Sequence, residues 1–216
     1  MRTRILVTVL ATFFGAVSAN AGLINGGFET GDLSGWTRFT TANGELGLSD
    51  VALFDVDGDG REVASARFRV ATAEYSPVPE GGGIFQGVML GAGSLAISAD
   101  IASFAPEGLS GNSFGGLSEL LFDGIVVDSH DFGFILAGDT ERDQLSASLS
   151  VTAGLHEVRL QMKRPFAQNS TTPVQFVDDV SLSGEAVEAI PEPGSITLLG
   201  LGLVGLARAR RRRRPH

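Results

Sequence analysis

The stretch Val174-Gln-Phe-Val-Asp-Asp-Val-Ser-Leu182 decides how the chain is to be read. Val174, Phe176, Val180 and Leu182 recur in even steps, the period of a β-strand with one apolar face. Asp178 falls in phase with them, so simple alternation sends its carboxylate towards the core. A carboxylate there needs a hydrogen bond, an ion pair or a cation. No lysine or arginine lies near it in the sequence.

The same period recurs upstream. Leu95, Ile97, Ala99 and Ile101 share a face, as do Leu145, Ala147, Leu149 and Val151, and then Val158, Leu160 and Met162. Further strands are expected around Val51–Val56, Ala64–Val70, Gly83–Met89, Leu117–Val127 and Phe132–Ile135. Turn signals such as "DGDG", "PEGGG", "FDG" and "TAG" separate them, and "RPFAQNSTTP" reads as a polar loop between the last two strands. No helical stripe is convincing outside the two ends. Eight to ten short strands at this spacing predict an all-β fold, an antiparallel β-sandwich.

The two ends differ from this body. "MRTRILVTVLATFFGAVSANAG" has Arg2 and Arg4, an apolar run from Ile5 to Val17 and a small-x-small site ending at Ala21. These are the marks of a secretory signal peptide over 1–21, a helix in transit, cut between Ala21 and Gly22. The body is expected over 22–185 and a linker over 186–193. The apolar run of 14 residues at 194–207 reads as a short transmembrane helix, below the roughly 20 residues that span a bilayer comfortably. A basic tail follows over 208–216, with Arg208, Arg210, Arg211, Arg212, Arg213 and Arg214 kept on the cytoplasmic side.

Those ends hide the charge of the body. Between Gly22 and Ile190 there are 8 basic and 24 acidic residues, a net −16. Such a surface repels nucleic acid and suits solubility and divalent cations. The chain has no cysteine, so the sandwich must hold by its core, with a metal as one available aid.

Two acidic groupings could bind that metal. Glu29 and Asp32 lie among the glycines of "NGGFETGDLSGW"; a carboxylate from here and Asp178 from the far end could hold one Ca²⁺ with backbone carbonyls. Equally, Glu29 could cap a turn and Asp178 could accept backbone hydrogen bonds. The second grouping is Asp55, Asp57 and Asp59 in "DVDGDG". It starts like an EF-hand loop, but Ala66 stands where the bidentate Glu is required, leaving a looser Ca²⁺ loop or a solvated turn.

Catalysis finds little support. Ser129, His130 and Asp131 are consecutive and point to alternate faces, so they form no triad. His156 is in phase with Val158, Leu160 and Met162 and reads as a half-buried core histidine. Gly200, Gly202 and Gly205 match G-x-G-x-x-G, but the chain ends before the rest of a dinucleotide fold. Trp36 and Tyr75 are the non-Phe aromatics, and Trp36 reads as core.

"NGGFETGDLSGW" at Asn25–Trp36 with "FVDDVSL" at Phe176–Leu182 resembles the opening and closing signatures of galactose-binding-like jelly rolls, which include families of carbohydrate-binding module. The resemblance implies a jelly-roll sandwich and, at Glu29 and Asp178, a structural calcium. It names no sugar-binding residues. Pro191-Glu192-Pro193, the Gly-Leu run and the arginine cluster resemble the PEP-CTERM sorting signal. That implies a Gram-negative, exopolysaccharide-producing bacterium. It also implies processing by an exosortase-type membrane protease that recognises Pro191, Glu192 and Pro193.

Together these readings describe an exported, non-enzymatic surface or extracellular-matrix protein. It would meet the membrane through its C-terminal helix before processing and bind extracellular polysaccharide through a carbohydrate-binding-like sandwich. The alternatives are a structural or adhesive protein without sugar affinity, and a polysaccharide-acting hydrolase.

Overall fold

The computed structural model describes residues 22–74, 77–108, 112–166 and 172–188. The signal segment 1–21, Pro191, Glu192, Pro193, the apolar run 194–207, the arginine cluster and Tyr75 lie outside the described residues. Among the described residues no helix is long and apolar enough to cross a membrane.

Ten strands form: β1 (Thr37–Thr40), β2 (Gly44–Phe54), β3 (Val63–Thr72), β4 (Glu80–Leu90), β5 (Gly93–Phe104), β6 (Leu117–Phe122), β7 (Ile125–Asp131), β8 (Thr140–Val151), β9 (Gly154–Arg164) and β10 (Val174–Ser183). One turn of helix, α1 (Glu185–Glu188), follows. Two five-stranded antiparallel sheets result. The first has the order β1-β4-β9-β6-β7 and the second β2-β3-β10-β5-β8. This is the antiparallel β-sandwich the alternation and turn signals lead to.

Between the sheets lies one core. Ile84 and Val88 of β4, Leu120 of β6 and Val158, Leu160 and Met162 of β9 meet Phe68, Leu95, Ile97, Ile101, Leu145, Val177 and Val180 of the other sheet. The N-terminal motif joins it through Phe28, Leu33 and Trp36. Trp36 is buried at 7% exposure, and its indole N–H donates to the Asn25 carbonyl at 3.0 Å. The aromatic nearest the motif is thus core and no platform for a ligand.

Three strand expectations change. The apolar run Leu117–Val127 is two strands, because Asp123 (φ 50°) and Gly124 (φ 77°) make a tight hairpin turn within it. Phe132–Ile135 is a loop that makes one isolated bridge, Phe134 to Phe114. In β10 the register shifts between Asp178 and Ser181, with Asp179 at φ 45°. This bulge reverses the alternation halfway along the strand. Val180 and Leu182 face the core, whereas Val174 and Phe176 belong to a second apolar cluster on the outer face with Val56 and Ala102. Asp178 is buried on that outer side, beneath the β2–β3 loop, and does not point between the sheets as plain alternation predicts.

Candidate functional site

The outer face of the first sheet carries side chains whose partners only cross-strand register reveals. Phe39 of β1 lies opposite Gly83 of β4, Gly83 opposite Gln161 of β9, Gln161 opposite Glu119 of β6, and Glu119 opposite Ser129 of β7. The adjacent row runs Thr37, Phe85, Arg159, Leu121 and Val126. Directly opposed residues share a face. Their strand neighbours Ile84, Leu120, Val158 and Leu160 fill the core, so both rows look outward.

Within these rows the Arg159 guanidinium lies 4.4 Å from the Phe39 ring centroid and 5.4 Å from that of Phe85. The two rings stand 6.1 Å apart and tilted by 60°. Glu157 fixes the guanidinium, accepting from Nε at 2.9 Å and pairing with NH2 at 2.8 Å. Beside this, Gln161 Nε2 donates to Glu119 Oε2 at 2.8 Å, and Lys163 Nζ pairs with Glu119 Oε1 at 2.6 Å. Each cation has its carboxylate, so the face is polar yet close to neutral.

Glycine keeps the face open. At Gly81 and Gly83 a Cβ would fall 2.1 Å from the Met162 carbonyl oxygen and 2.0 Å from that of Leu160, too close for any side chain. The β4 surface between Phe39 and Gln161 is therefore bare backbone. Half-buried aromatic edges, a stacked guanidinium and planar amide and carboxylate groups around a bare strip can hold a polyhydroxylated ligand. The rings take apolar C–H faces, and the fixed polar groups donate to and accept from hydroxyls. Sequence reasoning passed over Phe39, Phe85, Glu119, Arg159, Gln161 and Lys163. Phenylalanine reads as core, and the glycine triplet obscures the alternation of β4. The signal available was the odd-numbered polar set Glu157, Arg159, Gln161 and Lys163 on β9.

The acidic residues singled out by sequence gather around the β10 bulge. Asp178 is 3% exposed. Its Oδ2 accepts from Ser65 Oγ at 2.9 Å and its Oδ1 from the Asp179 amide at 2.8 Å. Burial pushes its pKa up to about 6, the charges of Asp179 and Glu29 adding to the effect and the two hydrogen bonds opposing it. Glu29 Oε1 and Asp179 Oδ1 both flank Gly27, 3.4 and 3.6 Å from where its Cβ would be. Asp32 is used locally, accepting from the Ser34 amide and Thr30 Oγ1, and these bonds hold its carboxyl below the usual range.

The second grouping reaches the same place. The β2–β3 loop folds back over the outer face, anchored by buried Val56 and by Arg142, whose Nε donates to the Asp55 carbonyl at 3.0 Å. Asp57 and Asp59 then line a cavity of about 150 Å³ with Arg61, Asp100, Asp178 and Asp179. One carboxylate oxygen from each of Asp55, Asp57 and Asp59 lies within 4.8 Å of the others. Asp100 is pushed up by burial, against a hydrogen bond from Gln144, with Asp179 and Asp57 adding. The donors are all oxygen, the buried member is destabilised as an anion, and no ion pair joins Asp178 to a cation among the described residues. This set fits a hard divalent cation such as Ca²⁺.

Of the two internal histidines, His130 pairs with Asp143 of β8 and packs edge-on against Phe132. Neither Ser129 nor Asp131 joins it. His156 faces inward, as its phase predicts, and stacks on Phe122.

Comparison with solved structures finds similar folds at low identity. A family 61 carbohydrate-binding module, solved with β-1,4-galactotriose, is 16% identical over 76% of this chain and 99% of that one, with a TM-score of 0.46. The xylan-binding family 22 module of Paenibacillus barcinonensis Xyn10C is 14% identical over 77% and 96%, TM-score 0.40. The C-terminal family 22 module of Clostridium thermocellum Xyn10B is 13% identical over 77% and 98%, TM-score 0.42. No curated protein sequence matches the chain. A family model for the PEP-CTERM protein-sorting motif matches residues 189–213. Residues 189–213 therefore carry a PEP-CTERM protein-sorting motif, the mark of an exported protein, and follow a two-sheet antiparallel β-sandwich.

Proposed function

We propose that this is a non-enzymatic carbohydrate-binding protein of the cell surface or extracellular matrix, with its ligand face on the outer side of the first sheet. The observation that carries the reading is Arg159, held between Phe39 and Phe85 by Glu157, next to the Gln161–Glu119–Lys163 network. The ligand that suits it is an extracellular polysaccharide laid across the strands, its sugar faces on the rings and its hydroxyls on the fixed polar groups. An exosortase-type protease would process the chain at Pro191-Glu192-Pro193 and so set its final location. A structural Ca²⁺ would be held around Asp178, by Glu29 or by the Asp55–Asp57–Asp59 loop. Its chemistry there would be neutralisation of buried negative charge.

The test is retention of the exported protein on immobilised native exopolysaccharide and on a glycan array, with millimolar calcium present. The wild type should be retained. Phe85→Ala and Arg159→Ala should each weaken retention about tenfold, the loss of one stacking contact of about 1.4 kcal/mol. No retention of the wild type, or unchanged retention of both variants, would overturn the assignment.

A further inference from the structure

His156 opens β9 at the end of the sandwich where β6 turns into β7 and β8 into β9. Its side chain is 10% exposed. Nδ1 lies 2.7 Å from Oδ2 of Asp123, and Nε2 lies 2.8 Å from the carbonyl oxygen of Thr152. Phe122 covers one face of the ring, stacked at 5.1 Å and 23°.

Both nitrogens thus meet acceptors. The Thr152 oxygen is a backbone carbonyl and can only accept. The Asp123 carboxylate is nearly half exposed, its Oδ1 already accepts the Glu157 amide at 2.8 Å, and its pKa is lowered although burial acts the other way. It is an anion at neutral pH. A neutral imidazole has one N–H and could satisfy one of these acceptors; the imidazolium has two and satisfies both. The stacked ring and the facing carboxylate favour the same charged form.

The surroundings add no competing charge. On β4 the residue opposite His156 is Val88, and β6 presents Phe122. The β8–β9 turn presents the Thr152 carbonyl, and on β9 itself Glu157 turns its carboxylate to the other face, onto Arg159. Among the described residues, Asp123 is the charged group that faces the ring.

We propose that His156 is a proton-operated clamp. In its charged form it ties the β6–β7 turn to the β8–β9 turn, and on losing its proton it lets go of one of them. The β8–β9 turn crosses from the second sheet to the first, so the clamp closes this end of the sandwich. Burial alone would lower the pKa of the ring. Hydrogen bonds to Asp123 and Thr152 and the Asp123 charge outweigh it, so the value stands above that of an ordinary histidine. The clamp is fully engaged below the unfolded value of about 6.5 and is lost as pH rises through the higher folded value.

The experiment is a long-range ¹H–¹⁵N correlation titration of the exported protein, with amide exchange followed over the same pH range. His156 should titrate above the ordinary histidine value and show two protonated ring nitrogens below about pH 6.5. Above that pH, exchange at Glu157 and in both turns should rise beyond its intrinsic pH dependence. Asp123→Asn should lower the titration point. A neutral single tautomer of His156 below about pH 6.5, or exchange in the two turns that ignores its titration, would overturn the proposal. Both readouts are made on the wild type, so they stand even if a variant fails to fold.

Discussion

Asp178 shows how one residue can be read correctly in kind and wrongly in place. Its burial follows from the apolar neighbours on either side. Its direction does not, because the bulge at Asp179 inserts a step that alternation cannot register. A buried carboxylate with two acidic neighbours titrates upward. In metal-free protein it binds a proton more tightly than the unfolded chain does. The stability it contributes is therefore present below about pH 3.8 and lost as pH rises through about 6. A bound divalent cation would reverse the preference. Thermal melts between pH 4 and 7 should fall with pH in EDTA and flatten in calcium, and Asp178→Ala should remove the difference. Superimposable melts with and without EDTA would sink the calcium proposal.

At the scale of the element, the Gly81-Gly82-Gly83 opening of β4 is the most exacting piece of sequence. Sequence rules treat glycine as weakening a strand, yet here the strand pairs along its whole length with β9. The contradiction resolves in the close approach of the cross-strand carbonyls, a tertiary fact that no local propensity encodes. Gly83→Ala would set a Cβ 2.0 Å from the Leu160 oxygen. We expect it to cost about 1–3 kcal/mol, read as a lower denaturant midpoint with an unchanged slope. The strands of strict alternation, β5, β8 and β9, were legible because each has one face in the core. β1 was not, since its four residues are mostly exposed. The hairpin of β6 and β7 hid inside one apolar run although its Phe-Asp-Gly turn was in plain view. The candidate ligand face was least legible of all. Phe39, Phe85 and Arg159 come from three strands and meet only through register.

For the whole molecule, the charge separates sharply between body and tail. The body's net −16 belongs to the chain that remains if both ends are removed. Mass spectrometry of the exported protein should find an N-terminus at Gly22 and a C-terminus close to Pro191. A mature mass that retains the arginine cluster would exclude processing.

The antiparallel order also sorts the connections. The β4–β5, β6–β7 and β8–β9 turns lie at one end, together with α1, whose Ala186 carbonyl accepts the Gly91 amide at 2.7 Å. The β3–β4, β5–β6, β7–β8 and β9–β10 loops lie at the other, with Phe134 and Leu136 both more than 70% exposed. Strands of 10 to 12 residues put roughly 35 Å between the two ends. The described chain leaves the sandwich at the end where α1 lies. The face of Phe39, Phe85 and Arg159 runs along the flank of the sandwich and not at either end. A polymer laid on that flank, as proposed above, would meet the sandwich side-on and leave both ends, some 35 Å apart, free for a different encounter.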